Sequence, residues 1–238
     1  MASRRPRTQK SGSLVGAFIT FEGTEGSGKS TQCRRLARSL RSQGYQVLET
    51  REPGGTPLAE TIRKLLLASS KSKDPMEPIT PACESMLIFA ARSQHITHVI
   101  QPALEKGIVV LCDRFFDSTL AYQGYARGLG QTFLNQAQRF ISSGLQPHLT
   151  FFLDLPIQDG LARRQQSNKQ DRLDQESLGF HQRVRRGFLA LAKQHPKRIQ
   201  KVDARKAPQA LASHIASIAE HMIHNTTSLR LIRSSLKK

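Results

Sequence analysis

One eight-residue stretch limits what this chain can fold into more than any other. It reads Gly-Thr-Glu-Gly-Ser-Gly-Lys-Ser at residues 23–30 and fits the pattern G-x-x-x-x-G-K-S, whose glycines let the backbone wrap a polyphosphate. Residues 18–21 before it are typical of a buried strand, and residues 30–44 after it have the apolar spacing of an amphipathic helix. This order points backbone N–H groups and a positive helix end at one place. The stretch therefore predicts a binding site for a nucleoside triphosphate.

Side chains in and near this phosphate-binding loop have predicted roles. Lys29 would reach the β- and γ-phosphates of ATP, and the Ser30 hydroxyl would bind Mg²⁺. Asp113 directly follows an apolar run and is the natural second Mg²⁺ ligand. The other predicted ATP contacts within or beside the loop are Gly23, Thr24, Glu25, Gly26, Ser27, Gly28 and Thr31.

The remainder of the chain alternates short apolar runs with helical patterns. The runs at 46–50, 108–112, 149–155 and 199–202 predict four further strands. Helices are predicted at 57–68, 80–106, 131–143, 175–194 and 208–224, and a glycine-containing loop at 116–130. Alternating strands and helices indicate a parallel sheet with right-handed crossovers. We therefore expect an α/β fold of the P-loop type, three layers α/β/α with a five-stranded parallel sheet and a short mobile lid.

Length and charge suggest how the chain is divided. Its 238 residues carry a formal net charge of +18. We expect one domain over residues 15–224, a disordered basic extension at 1–14 and a basic tail at 225–238. A basic surface suits a protein that handles phosphorylated substrates, and nucleic acid is an unlikely partner apart from weak contacts by the two ends.

The cysteines and the hydropathy of the chain indicate the cellular compartment in which the protein is expected. Three widely spaced cysteines predict reduced thiols in a cytoplasmic protein. No apolar run approaches the roughly 18 residues of a membrane-spanning helix, so no membrane partner is expected.

Four short motifs narrow the kind of enzyme. They are Arg-Glu-Pro-Gly-Gly at 51–55, Phe-Ala-Ala-Arg at 89–92, Asp-Arg-Phe at 113–115 and Tyr-Gln-Gly at 122–124. In this order and spacing the chain resembles the thymidylate kinases, from about residue 17 to the last helix, with details that look bacterial. The resemblance implies Mg²⁺-dependent phosphoryl transfer from ATP to dTMP in dTTP synthesis, and a homodimer.

The same resemblance implies roles for individual residues. Phe89 would stack on the thymine ring, and Arg92 would hydrogen-bond its edge. Arg63 and Arg114 would hold the dTMP phosphate, while Glu25 would lie near the acceptor sugar and the transferring phosphoryl group. The pocket around sugar and base would be lined by Glu52, Ser118, Tyr122 and Gln123. The implied catalytic set is Glu25, Lys29, Arg114 and Arg172.

The chain departs from the family pattern at its catalytic cation. The family supplies an arginine either from the phosphate-binding loop or from the lid, and position 26 of the loop is glycine here. In the lid, at about 163–174, Gln165 and Ser167 stand where arginines often occur. We hypothesise that Arg163, Lys169 and Arg172 share the adenine and phosphate contacts, with Arg172 the main phosphate ligand in the closed state.

The sequence is also compatible with other interpretations. Taken without the resemblance, Phe89 on a long helix is more typical of a core residue than of a base platform. The enzyme could be a related nucleotide or deoxynucleoside kinase with another acceptor. A different class is a regulatory ATP-binding protein in which the basic ends bind nucleic acid.

Overall fold

The computed structural model describes residues 16–68, 77–166 and 171–235, with side chains up to residue 224. Five strands form one parallel sheet in the order β2-β3-β1-β4-β5. They are β1 (Phe18–Glu22), β2 (Val47–Arg51), β3 (Val109–Asp113), β4 (Leu149–Asp154) and β5 (Ile199–Asp203). The predicted five-stranded parallel sheet is therefore confirmed.

Helices cover both faces of this sheet. Within the described residues they are α1 (Lys29–Ser42), α2 (Pro57–Leu67), α3 (Pro81–His95), α4 (Gln101–Glu105), α5 (Phe116–Thr119), α6 (Gln131–Ser142), α7 (Ile157–Gln165), α8 (Leu178–Gln194) and α9 (Pro208–Ser235). One apolar cluster joins β1 to α1 and α9, and two others join the sheet to α3, α4 and α8 on the opposite face. The three-layer α/β/α architecture follows.

Local sequence explains where several helices begin. Thr56 and Thr80 accept hydrogen bonds from the N–H groups of Ala59 and Cys83, so each caps a helix N-terminus. A proline follows each cap, where its fixed φ suits the first helical turn and its missing N–H costs nothing. These caps set the entry of α2 and α3, which form one wall of the site described below.

The structure corrects two predicted boundaries. Residues 116–130, predicted as a loop, instead contain α5 and a π-helical segment (Leu120–Ala126). This segment packs on α8, and burial of Leu120 and Ala121 there outweighs the weak helix propensity of Gly124. The last helix runs to Ser235 where the prediction ended it at 224, since neither proline nor glycine interrupts that stretch.

The long helix predicted at 80–106 is present but interrupted. Residues Ile96–Ile100 between α3 and α4 form a π-helical segment, which ends two residues before Pro102 in the first turn of α4. Proline cannot donate a backbone hydrogen bond and its ring crowds the preceding turn, which agrees with the predicted bend near this residue.

Parallel strands bring their carboxyl ends to one edge of the sheet. Phe21 of β1 and Arg51 of β2 both lie beside Asp113 of β3, and Glu22 lies beside Phe152 of β4. Ligands of open parallel sheets collect at this edge. None of the described helices is long and apolar enough to cross a membrane.

Candidate active site

The phosphate-binding loop (residues 23–30) joins β1 to α1. Its glycines at 23, 26 and 28 have φ values of 143°, 69° and 92°, which other residues rarely adopt. Lys29 folds back across the loop, and its Nζ donates to the Thr24 carbonyl at 2.8 Å and to Ser27 Oγ at 3.4 Å. The loop thus holds its lysine in place through two of its own oxygens.

Gly26 has no room for a side chain. A Cβ at this position would lie 2.1 Å from the carbonyl oxygen of Gly160 in α7. Gly160 is equally confined, because its own Cβ would lie 2.5 Å from the carbonyl oxygen of Glu25. Two backbones therefore meet here, and an arginine at position 26 would not fit this packing.

Ser30 and Asp113 lie together at the start of α1 and the end of β3. The Ser30 hydroxyl donates to Asp113 Oδ2, so the two predicted Mg²⁺ ligands are direct neighbours. Magnesium in nucleotide sites is usually held by one or two protein oxygens, with phosphate oxygens and waters completing its shell. A hydroxyl and a carboxylate beside the loop fit that requirement.

Arg114 stands between the loop and the adjoining cavity. It has a φ of 73°, a left-handed conformation uncommon for a residue with a side chain. Its Nη1 donates to the Gly23 carbonyl at 2.9 Å and to Ser118 Oγ at 3.1 Å, and its Nη2 donates to Glu25 Oε1 at 3.0 Å. The guanidinium is therefore fixed by both neighbours at once.

Glu25 receives further contacts on the same carboxylate. The Tyr122 hydroxyl donates to Oε1, and Nδ1 of the buried His181 lies 3.4 Å from Oε2. Burial alone would raise the pKa of Glu25, but the contact with His181 and the charges of Arg114 and Lys29 hold this pKa far below its ordinary value. Glu25 is therefore an ionised group in the centre of the site.

Burial lowers the pKa of Lys29 to about 8, and the charge of Arg114 acts in the same direction. The neighbouring carboxylates Asp113, Glu25 and Glu22 oppose this change. A phosphate chain would add negative charge beside the ammonium and favour its charged form.

A cavity opens beside Arg114, between α2, α3 and the segment after β3. It brings together six of the eight predicted acceptor-binding residues. These are Glu52, Arg92, Arg114, Ser118, Tyr122 and Gln123. Pro53, Leu66, Glu84, Ile88, Phe115, Thr119, Arg172 and Leu173 also line it, together with Leu67.

Arg92 is almost completely buried in one wall of this cavity. Its Nε donates to Glu52 Oε2 at 2.6 Å, Nη1 to Gln138 Oε1 at 3.2 Å and Nη2 to Thr119 Oγ1 at 2.9 Å. His95 lies 3.1 Å from the other oxygen of Glu52. Burial raises the pKa of Glu52, but Arg92 and His95 outweigh it and lower the pKa. The guanidinium is thus set in one orientation.

Phe89, the predicted base platform, does not line the cavity. It is 4% exposed and packs in the apolar cluster with Leu120, Tyr122 and Phe180. Ile88 lines the cavity in its place. Both residues lie within one helical turn of Arg92 on α3, but the Phe89 ring packs into the apolar cluster while Ile88 faces the cavity. The role predicted for Phe89 does not fit this geometry.

Three predicted arginines lie at different edges of the site. Arg63 donates to the Pro53 carbonyl at 3.0 Å, beside the cavity, without lining it. Arg163 on α7 donates to the carbonyl of Ala204, after β5, at 3.4 Å. Arg172 lines the acceptor cavity, where it donates to Glu84 and to the Leu66 carbonyl. The lid residues Ser167 and Lys169 lie outside the described residues.

Sequence reasoning missed several residues of the site. Glu84, Ile88 and His181 contact the cavity or Glu25, yet each stands in an ordinary helical pattern. Of these three, only Ile88 could have been found from the sequence, because it lies one helical turn before Arg92.

Comparison with known proteins gives one consistent result. The family model described as Thymidylate kinase matches residues 21–215. A thymidylate kinase of Thermomicrobium roseum is 50% identical over 86% of this chain and 95% of its own length. One from a Synechococcus species is 48% identical over 90% and 98% of the respective chains.

A solved structure agrees with these relatives. A thymidylate kinase from Ehrlichia chaffeensis superimposes with a TM-score of 0.66 at 32% sequence identity, covering 86% of this chain and 98% of that one. Together with the loop, the adjoining cavity and the arginine between them, these matches establish that the chain belongs to the thymidylate kinase family.

Proposed function

We propose that this thymidylate kinase transfers the γ-phosphoryl group of ATP to dTMP, giving dTDP and ADP for dTTP synthesis. The observation that supports this most is the position of Arg114. Its guanidinium bonds to the phosphate-binding loop through Gly23 and Glu25, and it also lines the acceptor cavity. One planar cation can therefore contact the anions of both substrates.

Phosphoryl transfer needs positioning and charge neutralisation more than covalent help from the protein. Lys29 and the loop N–H groups would hold the β- and γ-phosphates of ATP. Arg114 would grip the acceptor phosphate and reduce the repulsion between the two anions as they approach. Glu25 would hold Arg114 in this orientation from the side of the loop.

Ser30 and Asp113 would hold Mg²⁺, which neutralises charge on the β- and γ-phosphate oxygens when it is bound with ATP. The hydrogen bond between the two side chains supports this assignment, because it places their oxygens next to each other beside the loop.

The lid arginines divide between the two substrates in this proposal. Arg163, beside the turn after β5, would contact the nucleotide of ATP. Arg172 closes the acceptor cavity in this structure, through Glu84 and the end of α2. A phosphate contact by Arg172, as hypothesised from the sequence, requires it to leave Glu84 first.

A turnover assay with a panel of acceptors tests the proposed reaction. With ATP and Mg²⁺ present, dTMP should be phosphorylated with a higher kcat/KM than dUMP, dCMP or thymidine. Faster turnover of another acceptor would support a related kinase instead. Absence of dTDP formation would contradict the proposal.

We also propose that the enzyme is a homodimer that works in the cytoplasm, where ATP and nucleotide monophosphates are made and used. Support for the dimer comes from exposed apolar side chains on neighbouring helices, Met86 on α3 with Phe133 and Phe140 on α6. Phe140 is 88% exposed, an unusual state for phenylalanine. A second copy of this chain is the occupant we assign to this face.

A further inference from the structure

Glu84 is a buried carboxylate in the wall of the acceptor cavity, with its side chain only 2% exposed. Its Oε1 accepts from Gln123 Nε2 at 2.8 Å and from Arg127 Nε at 3.3 Å. Its Oε2 accepts from Arg127 Nη2 at 3.3 Å and from Arg172 Nη2. Three side chains therefore donate to one carboxylate.

The charge state of Glu84 decides what it can do for Gln123. Burial raises its pKa, but the hydrogen bonds from Arg172 and Gln123 and the charge of Arg127 outweigh burial and lower the pKa. An ionised carboxylate accepts hydrogen bonds and has no proton to donate. Glu84 therefore accepts from every neighbour that bonds to it.

This property fixes the orientation of the Gln123 side-chain amide. The two flipped orientations of a side-chain amide have almost the same shape, so its hydrogen bonds decide between them. Next to a group that can only accept, the amide must turn its NH₂ group toward that group. Gln123 lines the cavity, and its Nε2 is committed to Glu84. The carbonyl Oε1 is then the atom that Gln123 offers to a ligand.

Arg92 supplies a hydrogen-bond donor to the same cavity. Its guanidinium can only donate, and its bonds to Glu52, Gln138 and Thr119 fix its plane. The cavity thus presents a fixed donor and a fixed acceptor. Thymine and uracil carry a carbonyl acceptor at C4 beside an N3–H donor, whereas cytosine carries an amino donor at C4 beside an N3 acceptor.

We propose that Glu84 is a positioning residue that sets the hydrogen-bond polarity of the acceptor cavity through Gln123, and thereby selects a 4-oxo pyrimidine monophosphate over a 4-amino one. The inference rests on the proposed function and adds to it the device by which one class of base is chosen. Glu84 itself does not need to touch the nucleotide.

The substitution Glu84→Gln tests this directly. Arg172 Nη2 and Arg127 Nη2, which can only donate, would hold the single carbonyl oxygen of the new amide. Its NH₂ group would then face Gln123 and replace the long 3.3 Å contact with Arg127 Nε. The Gln123 amide would then turn over and offer its own NH₂ group to the cavity. We expect the ratio of dTMP to dCMP affinity to fall about tenfold, roughly the worth of one hydrogen bond. The ratio of dTMP to dUMP should not change, because these bases share the same edge.

The measurement is a set of dissociation constants for dTMP, dUMP and dCMP, obtained by calorimetric titration of the full-length protein. Glu176→Gln is the matched control. It removes one charge from the same ion pairs, since Glu176 accepts from Arg127, but it does not contact Gln123. This control should keep the wild-type ratio of dTMP to dCMP affinity within about twofold, below the effect of one hydrogen bond.

A second variant keeps the proposal testable if Glu84→Gln does not fold. Gln123→Leu leaves the arginine contacts of Glu84 in place and should lower the dTMP to dCMP ratio by a similar factor. In that background Glu84→Gln should have no further effect on the ratio.

Either of two results would overturn the proposal. One is a Glu84→Gln protein that binds all three nucleotides more weakly by one common factor, which is what a purely structural role predicts. The other is a Gln123→Leu protein with the wild-type ratio. Failure of the wild-type protein to form dTDP would instead contradict the proposed function, and turnover and affinity ratios are separate readouts.

Discussion

Arg114 carries more of the proposed chemistry than any other single residue, and its conformation shows how firmly it is held. A side chain at φ 73° is a strained choice for arginine, with a cost on the order of 1–3 kcal/mol. The contacts with Gly23, Ser118 and Glu25 compensate for that cost. The orientation of Arg114 is therefore set by contacts within the protein.

The neighbouring residues Ile88 and Phe89 should respond to truncation in opposite ways. Ile88→Ala should raise the KM for dTMP about tenfold, since it removes apolar surface from the cavity wall worth about 1–2 kcal/mol. Phe89→Ala should lower the free energy of unfolding by about 3–5 kcal/mol, because it empties part of the core.

Steady-state kinetics and denaturant unfolding on both variants check this pair. A Phe89→Ala protein with wild-type stability and a selective loss of dTMP affinity would show instead that Phe89 stacks on the base.

Glu22 should make stability depend on pH. It is fully buried beneath Arg114 and accepts from the Phe115 N–H at 2.7 Å and from the Ser118 hydroxyl at 2.5 Å. Burial, with the nearby charge of Asp117, raises its pKa from 4.5 to about 8. The folded state therefore holds this proton more tightly than the unfolded state, and the stability it contributes is complete below pH 4.5 and lost as pH rises through 8.

Glu22→Gln cannot titrate, so the Tm of this variant minus the Tm of the wild type should increase as the pH is raised from about 5 to about 9. Thermal unfolding across that range is the measurement. A difference that stays constant with pH would show that Glu22 does not titrate there.

Sequence patterns predicted the positions of the strands better than they predicted which helix residues face the cavity. Apolar runs such as 108–112 have few alternatives to a buried parallel strand, so the sheet could be predicted. On a helix, a step of one residue turns the side chain by about 100°. The motif Phe-Ala-Ala-Arg pointed to Phe89, but it is the preceding residue, Ile88, that lines the cavity.

Partners distant in sequence could not be predicted for a related reason. The π-helical segment Leu120–Ala126 depends on packing against α8, about 60 residues later in the chain. Glu84 likewise meets Arg172 only because the lid returns to α3. No local pattern encodes either contact.

The contact between α7 and the phosphate-binding loop gives an element-scale prediction. Gly160→Ala would place a Cβ 2.5 Å from the Glu25 carbonyl oxygen, so the loop backbone must shift. We expect the Kd for ATP to rise about tenfold or more, as misplacement near phosphates is costly.

Gly179→Ala on α8 is the control, because its Cβ would meet nothing closer than 3.7 Å. The measurement is the Kd for ATP of both variants, obtained by nucleotide titration. Equal ATP affinity in the two would mean that α7 does not position the loop.

At the scale of the whole molecule, the parallel sheet brings two half-sites to one edge. β1 delivers the loop that binds ATP, while β2 and β3 deliver the motifs beginning at Arg51 and Asp113. Families with this fold differ in what faces the loop, so the second half-site determines the reaction.

The exposed face of α3 and α6 gives a prediction for the assembly. Phe140→Asp should convert the proposed dimer to a monomer at micromolar concentration, because a charge cannot be buried there without a partner. Light scattering coupled to size-exclusion chromatography measures this. Arg139→Asp, on the adjacent helical position, controls for the added charge, and a wild-type protein that is monomeric at high concentration would contradict the dimer.

In the proposed reaction, Arg114 joins the ATP loop to a dTMP cavity in a single transfer site. The most direct measurement is the kcat/KM for dTMP, at saturating ATP and Mg²⁺, in the wild type and in Arg114→Lys. Lysine keeps the charge but loses the planar fork that bonds to two groups at once. We predict dTDP formation by the wild type and a loss of about 100-fold or more in the kcat/KM for dTMP in the variant. A wild type that forms no dTDP, or a variant with undiminished kcat/KM, would contradict the account.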